Sequence, residues 1–116
     1  FDTATVATAA LAPPAEKNDW HSKRYVRHWE REALNNYNIS EWEGVIRACE
    51  KILRIPDQAR TNADVLFEMG YAHMRLADYE SAAEYLERAY RTGCRRVHLR
   101  MAMLELRTKA RTGPWP

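Results

Sequence analysis

A chain of 116 residues with a net charge of +2, 46% hydrophobic and 29% charged, has the size and balance of one globular unit. That length leaves no room for a second large core, and no run approaches the roughly 20 apolar residues of a membrane span. So small a charge surplus does not by itself mark a nucleic-acid binder, because an electrostatic footprint needs clustered charge.

Residues 1–17 read as an extended N-terminal tail. Phe1 to Ala15 is rich in Ala and Thr and closes on Pro13-Pro14, a pair that resists helix; the stretch around Ala10 is apolar enough to lie along a partner. The first residue is Phe rather than Met, which fits either a removed targeting peptide, with an organellar, mitochondrial-matrix location expected and the cytoplasm as the alternative, or a trimmed fragment. Residues 18–112 carry the helical signals, and 113–116 form a C-terminal tail that presents Trp115.

The first helix is predicted from Asn18 or Asp19 to about Leu34, with Trp20, Tyr25, Trp29, Ala33 and Leu34 on its apolar face and Asn35-Asn36-Tyr37-Asn38 as the turn. Ser40 with Glu43 reads as a capping box that opens a second helix through Val45, Ile46, Cys49, Ile52 and Leu53, stopped by Pro56-Asp57. Thr61 or Asn62 caps a third helix through Leu66, Met69, Gly70 and His73, and Asp78 marks its turn. A fourth helix follows from Tyr79 with Ala82, Ala83, Leu86, Ala89 and Tyr90 on one face, and Gly93 supplies its left-handed end. The fifth carries two apolar stripes, Val97-Met101-Leu104 and Leu99-Met103-Leu106, and stops at Gly113-Pro114. No segment alternates with period two, so the fold class is all-α with about five helices.

The second and fourth helices repeat one text. Glu41-Trp42-Glu43-Gly44-Val45 stands beside Asp78-Tyr79-Glu80-Ser81-Ala82, and Cys49 then matches Leu86 and Ile52 matches Ala89. On Leu66, Met69, Gly70, Tyr71, Ala72, Asp78-Tyr79-Glu80, Ala82, Leu86 and Ala89, the segment Asp64 to Cys94 resembles a tetratricopeptide repeat. It departs from the family pattern at His73, where an aromatic is usual, and at Cys94, where a proline is. Val26 to Asp57 resembles a degenerate copy that keeps Trp42, Glu43, Ile52 and Pro56. The resemblance implies a stack of antiparallel helix pairs, no catalysis, and a concave side on which Asp64, Phe67, Tyr71, Met74 and Arg75 meet a peptide or helix of another protein. Family members that clamp a chaperone carboxylate place Lys, Asn and Arg at such positions, where Phe67 and Tyr71 stand in this chain.

The expected function is therefore that of a non-catalytic scaffold or accessory subunit, with other protein subunits as partners and no cofactor. Its expected contacts are Phe67, Tyr71, Met74 and Arg75, the stripe Leu99, Met103 and Leu106, and Trp115. Arg91, Arg95, Arg96, Arg100, Arg107, Lys109 and Arg111 make the C-terminal part basic against Glu105 alone. An acidic protein surface is the expected occupant; RNA or an anionic membrane is the alternative. His21, His28, His73 and His98 show neither HExxH nor another ligand spacing, and Glu80, Glu84 and Glu87 read as the outward face of a helix. Cys49 and Cys94 form no CxxC and read as buried thiols.

Overall fold

A computed structural model of the chain describes residues 19–112, with side chains placed for 23–109. The described residues form helices α1 (Asp19–Asn38), α2 (Trp42–Leu53), α3 (Pro56–Thr61), α4 (Ala63–Arg75), α5 (Tyr79–Thr92) and α6 (Val97–Thr112), and no strand occurs among them. The all-α class stands, with six helices rather than five.

Two of the turns are built alike, bond for bond. At the end of α4, Ala77 takes a left-handed φ of 66°, its N–H donates to the Met74 carbonyl at 3.0 Å, and the Asp78 N–H donates to the His73 carbonyl at 2.9 Å. At the end of α1, Ser40 takes a φ of 61°, its N–H reaches the Tyr37 carbonyl at 3.2 Å, and the Glu41 N–H reaches the Asn36 carbonyl at 2.8 Å. This is the double hydrogen bond that satisfies the last carbonyls of a helix around one left-handed residue. The chain then re-enters a helix at once, through Glu41 (φ −90°, ψ 80°) and Asp78 (φ −90°, ψ 76°). So short a link folds the following helix back along the preceding one, and α1/α2 and α4/α5 are accordingly the largest interfaces.

That geometry corrects two expectations. Asn35-Asn36-Tyr37-Asn38 is helix, not turn: Asn36 Nδ2 donates to the Glu32 carbonyl at 2.8 Å, and Tyr37 packs into the core. Ser40 is the left-handed residue rather than a cap, so no capping box forms, and α2 begins after Glu41 without a side-chain cap. In the second hairpin Asp78 does cap, accepting from the Ser81 N–H at 3.3 Å.

Pro56 does more than stop a helix. It occupies the first turn of the short α3, where a missing N–H costs nothing. Arg88 of α5 donates to the Ala59 carbonyl at 3.2 Å, tying α3 to the stack. Asn62 caps α4 as expected, accepting from the Val65 N–H at 3.2 Å, while its Nδ2 donates to Glu30 of α1 at 3.1 Å.

The core divides into two clusters that share α4. Val65, Met69 and Ala72 of α4 pack with Val26, Ala33, Val45, Ala48, Cys49 and Ile52 of α1 and α2. Leu66, Phe67 and Met74 of the same helix pack with Ala82, Leu86 and Ala89 of α5 and with Leu99 and Ala102 of α6. Close approach of α4 and α5 depends on Gly70, where a Cβ would come within 2.7 Å of Leu86 Cγ and 3.0 Å of its backbone nitrogen. Ala33, fully buried, stands at the matching place in α1. Gly93 has a φ of 97° and ends α5 as predicted, whereas Tyr90, expected on the inner face, is exposed, and Ala83 is half-buried.

Candidate functional site

The expected concave surface is closed by the chain itself. Phe67 is fully buried and Met74 nearly so. Tyr71 sits in a ring cluster, 5.5 Å from the centroids of both Tyr37 and Trp42 and 5.7 Å from Phe67. Tyr37 reaches it only because α1 runs one turn farther than predicted. Arg96 then covers the cluster with its guanidinium 4.8 Å from the Phe67 ring and 5.9 Å from Tyr37, and pairs with Glu68 at 3.2 Å. Burial raises the Glu68 carboxyl above its usual range, and the Arg96 charge and hydrogen bond oppose that rise. Arg75 lies 5.2 Å from the Tyr71 ring and is paired with Glu105 of α6. Phe67 and Met74 are thus core residues, while half-buried Tyr71 and exposed Arg75 are engaged in contacts within the chain.

Trp42 and Tyr79, which head α2 and α5, are both half-buried. Trp42 meets Tyr37 and Tyr71 edge-on, and Tyr79 packs on the second core cluster. Trp29 leans on the first cluster beneath Lys51, whose Nζ is 5.0 Å from its ring. Trp115, the N-terminal tail and the side chains of Trp20 and Arg111 lie outside the described residues.

On α6 the expected stripe is the inner one. Leu99 is buried, and Met103 and Leu106 are half-buried against the cluster that holds Leu66, Phe67 and the α5 core, so the expected stripe is turned inward. The opposite stripe is the open one: Val97 is 73% exposed, Met101 60% and Leu104 61%. Their spacing puts all three on one side of the helix, diametrically across from Leu99, Ala102 and Leu106. Among the described residues α6 touches chiefly α5 and, lightly, α4. Sequence reasoning named both stripes, and nothing in the periodicity told inner from outer.

The basic residues separate in the same way. Arg96 is committed to Glu68 and the ring cluster, and Arg91 pairs with Glu87 on α5 at 3.2 Å. Arg95, Arg100, Arg107 and Lys109 are exposed and make no ion pair among the described residues. Arg100 and Arg107, seven residues apart, line one edge of the open stripe. Arg75 already holds Glu105, the one carboxylate of α6.

Little else in the described residues suggests chemistry. Cys49 is a free thiol whose burial pushes its ionisation far up, which suppresses the thiolate; Cys94, also free, is half-buried rather than buried as expected. His73 stacks on Tyr85 with centroids 5.6 Å apart and sits 3.2 Å from Asp78. Slight desolvation would raise the Asp78 carboxyl, but hydrogen bonds from Ser81 and the contact with His73 hold it below its usual range. No three His, Cys, Asp or Glu side chains gather into a metal-binding group among the described residues, and no described helix is long and apolar enough to cross a membrane. No family model, no curated protein and no solved structure matches the chain.

Proposed function

We propose that the chain is a non-catalytic helical-repeat module of tetratricopeptide type, an accessory or scaffold subunit that docks other protein subunits on the outer face of α6. The observation that carries this reading is the Val97-Met101-Leu104 stripe, exposed on a helix whose opposite side is core. A contiguous apolar strip on water is unfavourable by about 25 cal/mol for each Å² left uncovered, and strips of this kind on folded proteins mark places that a partner covers. The twin hairpin turns support the repeat architecture, since one local solution joins α1 to α2 and α4 to α5.

RNA would compete for the same arginines, but single-stranded RNA is held by rings interleaved with cations. Among the described residues the rings that lie near arginines, Tyr37, Phe67, Tyr71 and Tyr85, are enclosed or half-enclosed in the core beside Arg96, Arg75 and Arg88. Arg100, Arg107 and Lys109 instead border aliphatic side chains and a thioether.

The test is a paired purification from the native source with the wild-type chain and with Met101→Gln/Leu104→Gln, a change that keeps helix propensity. The wild type is expected to retain defined protein subunits that the variant loses while melting at the same temperature. Recovery of the same proteins by both would contradict the proposal.

A further inference from the structure

We infer that the occupant of the α6 outer face is an amphipathic helix with acidic residues along the edges of its own apolar stripe. This rests on the reading of that face as a docking surface and names its partner. Three observations lead there.

The shape of the surface comes first. Val97, Met101, Leu104 and, one turn on, Thr108 form a ridge along a convex helix, about 16 Å long at 1.5 Å per residue. An extended peptide gains little on a ridge, because it finds neither a groove for its side chains nor a sheet edge for its backbone. A second helix fits, since ridges of one helix settle into the grooves of another.

Charge is the second. Arg100 and Arg107 border the stripe on one side, with Arg95 just before the helix, and none has an ion-pair partner among the described residues. On the other side stand His98, Glu105 and Lys109, of which Glu105 is held by Arg75. The charges on the two edges are therefore Arg100, Arg107 and Lys109, unpaired among the described residues, and the already paired Glu105, so carboxylates on the incoming helix would meet complementary potential while a basic helix would be repelled.

Third, the same charges disfavour a second copy. Antiparallel pairing of two α6 stripes about a two-fold axis would set the Arg100-Arg107 edge against its own image. Parallel pairing would set it against the edge whose single carboxylate Arg75 already occupies. Continuation of the stack by another helix of this kind is disfavoured too. Carrying the repeat offset forward places Arg107 where Gly70 lets α4 and α5 approach, and a guanidinium there holds a neighbouring helix away.

The experiment uses the full 116-residue chain and two designed, fluorescein-labelled helical peptides that share a Leu stripe at i, i+4, i+7 and i+11. One carries Glu on both edges and the other Lys. By fluorescence anisotropy at about 0.1 M salt, the Glu peptide is expected to bind at least about tenfold more tightly than the Lys peptide. Met101→Gln/Leu104→Gln is expected to weaken it by about tenfold or more, the loss that accompanies uncovering two apolar side chains. Arg100→Glu/Arg107→Glu should invert the preference toward the Lys peptide, a gain of binding that misfolding cannot produce. Equal affinity for the two peptides, or an unchanged preference in the charge-reversed variant, overturns the inference. So does a dimer seen by sedimentation that Met101→Gln/Leu104→Gln dissolves, or binding of single-stranded RNA or anionic vesicles with neither peptide bound. If the Glu peptide fails while native-source subunits still depend on Met101 and Leu104, the acidic helix is wrong and the docking face survives.

Discussion

Val65, Glu68 and Met69 of α4 correspond, at the offset that relates Trp42 to Tyr79, to Ala102, Glu105 and Leu106 of α6. Val65 and Met69 pack on α1 and α2, and Ala102 and Leu106 on the cluster of α4 and α5, while Glu68 holds Arg96 from beyond α5 and Glu105 holds Arg75 of α4. The likeness ends at the next positions. Phe67 is fully buried, whereas its counterpart Leu104 is 61% exposed. Phe67 has Arg96 and the inner stripe of α6 laid over it, while no described element lies over Leu104. The burial of these residues is thus decided less by their own helix than by what packs over it, and among the described residues α6 keeps an apolar face that α4 has covered.

The sharpest way to break this comparison is to shorten both residues. Phe67→Ala is expected to cost about 3–5 kcal/mol, the range for an aromatic removed from a closed core. Leu104→Gln should change stability by about 0.5 kcal/mol or less, as exposed substitutions do. Denaturant titration of the two variants checks both; a large loss at Leu104 would mean that the outer stripe is folded against something in the free chain.

A second, smaller contrast concerns the two hairpins. Gly70→Ala is expected to destabilise by about 1–3 kcal/mol because its new methyl meets Leu86 at its backbone nitrogen as well as its side chain. Gly44→Ala meets only the end of the Asn36 side chain, at 2.5 Å. Asn36 can swing aside by giving up its bond to the Glu32 carbonyl, so the expected cost is the smaller of the two in the same thermal melts.

The smallest effects test whether the turns are equivalent. Ser40 and Ala77 occupy left-handed positions that favour glycine, so Ser40→Gly and Ala77→Gly are each expected to raise stability by up to about 1 kcal/mol. Similar gains in calorimetry would confirm that one turn is used twice. A gain at only one site would separate the hairpins.

These contrasts also show which features were legible beforehand. Asn62, Asp78 and Gly93 announced helix ends because a short polar side chain or a missing Cβ is the usual solution there, and all three act as expected. Ser40 and Ala77 do the work of glycine without being glycine, so the α1 turn was placed too early and Ser40 was mistaken for a cap. The positions matched between the two similar segments, Val45, Cys49 and Ile52 with Ala82, Leu86 and Ala89, are all buried, and the helical pattern was plain in the sequence. The site was not. Phe67 and Met74 sit at positions that would be open in a shorter stack, and what closes them is the extra turn carrying Tyr37 and the arrival of Arg96 from beyond α5. The two stripes of α6 are equally apolar, and the positions of α4 and α5 decide that Leu99 turns inward and Met101 outward.

Met101 and Met103 make that orientation measurable in a single peptide, since thioether oxidation follows exposure. Brief peroxide treatment read by mass spectrometry should oxidise Met101 in the free chain well ahead of half-buried Met103. In the assembly recovered from the native source, Met101 should become protected. Equal reactivity of Met101 in the free chain and in the assembly would contradict the assignment of the α6 outer face as the surface a partner covers.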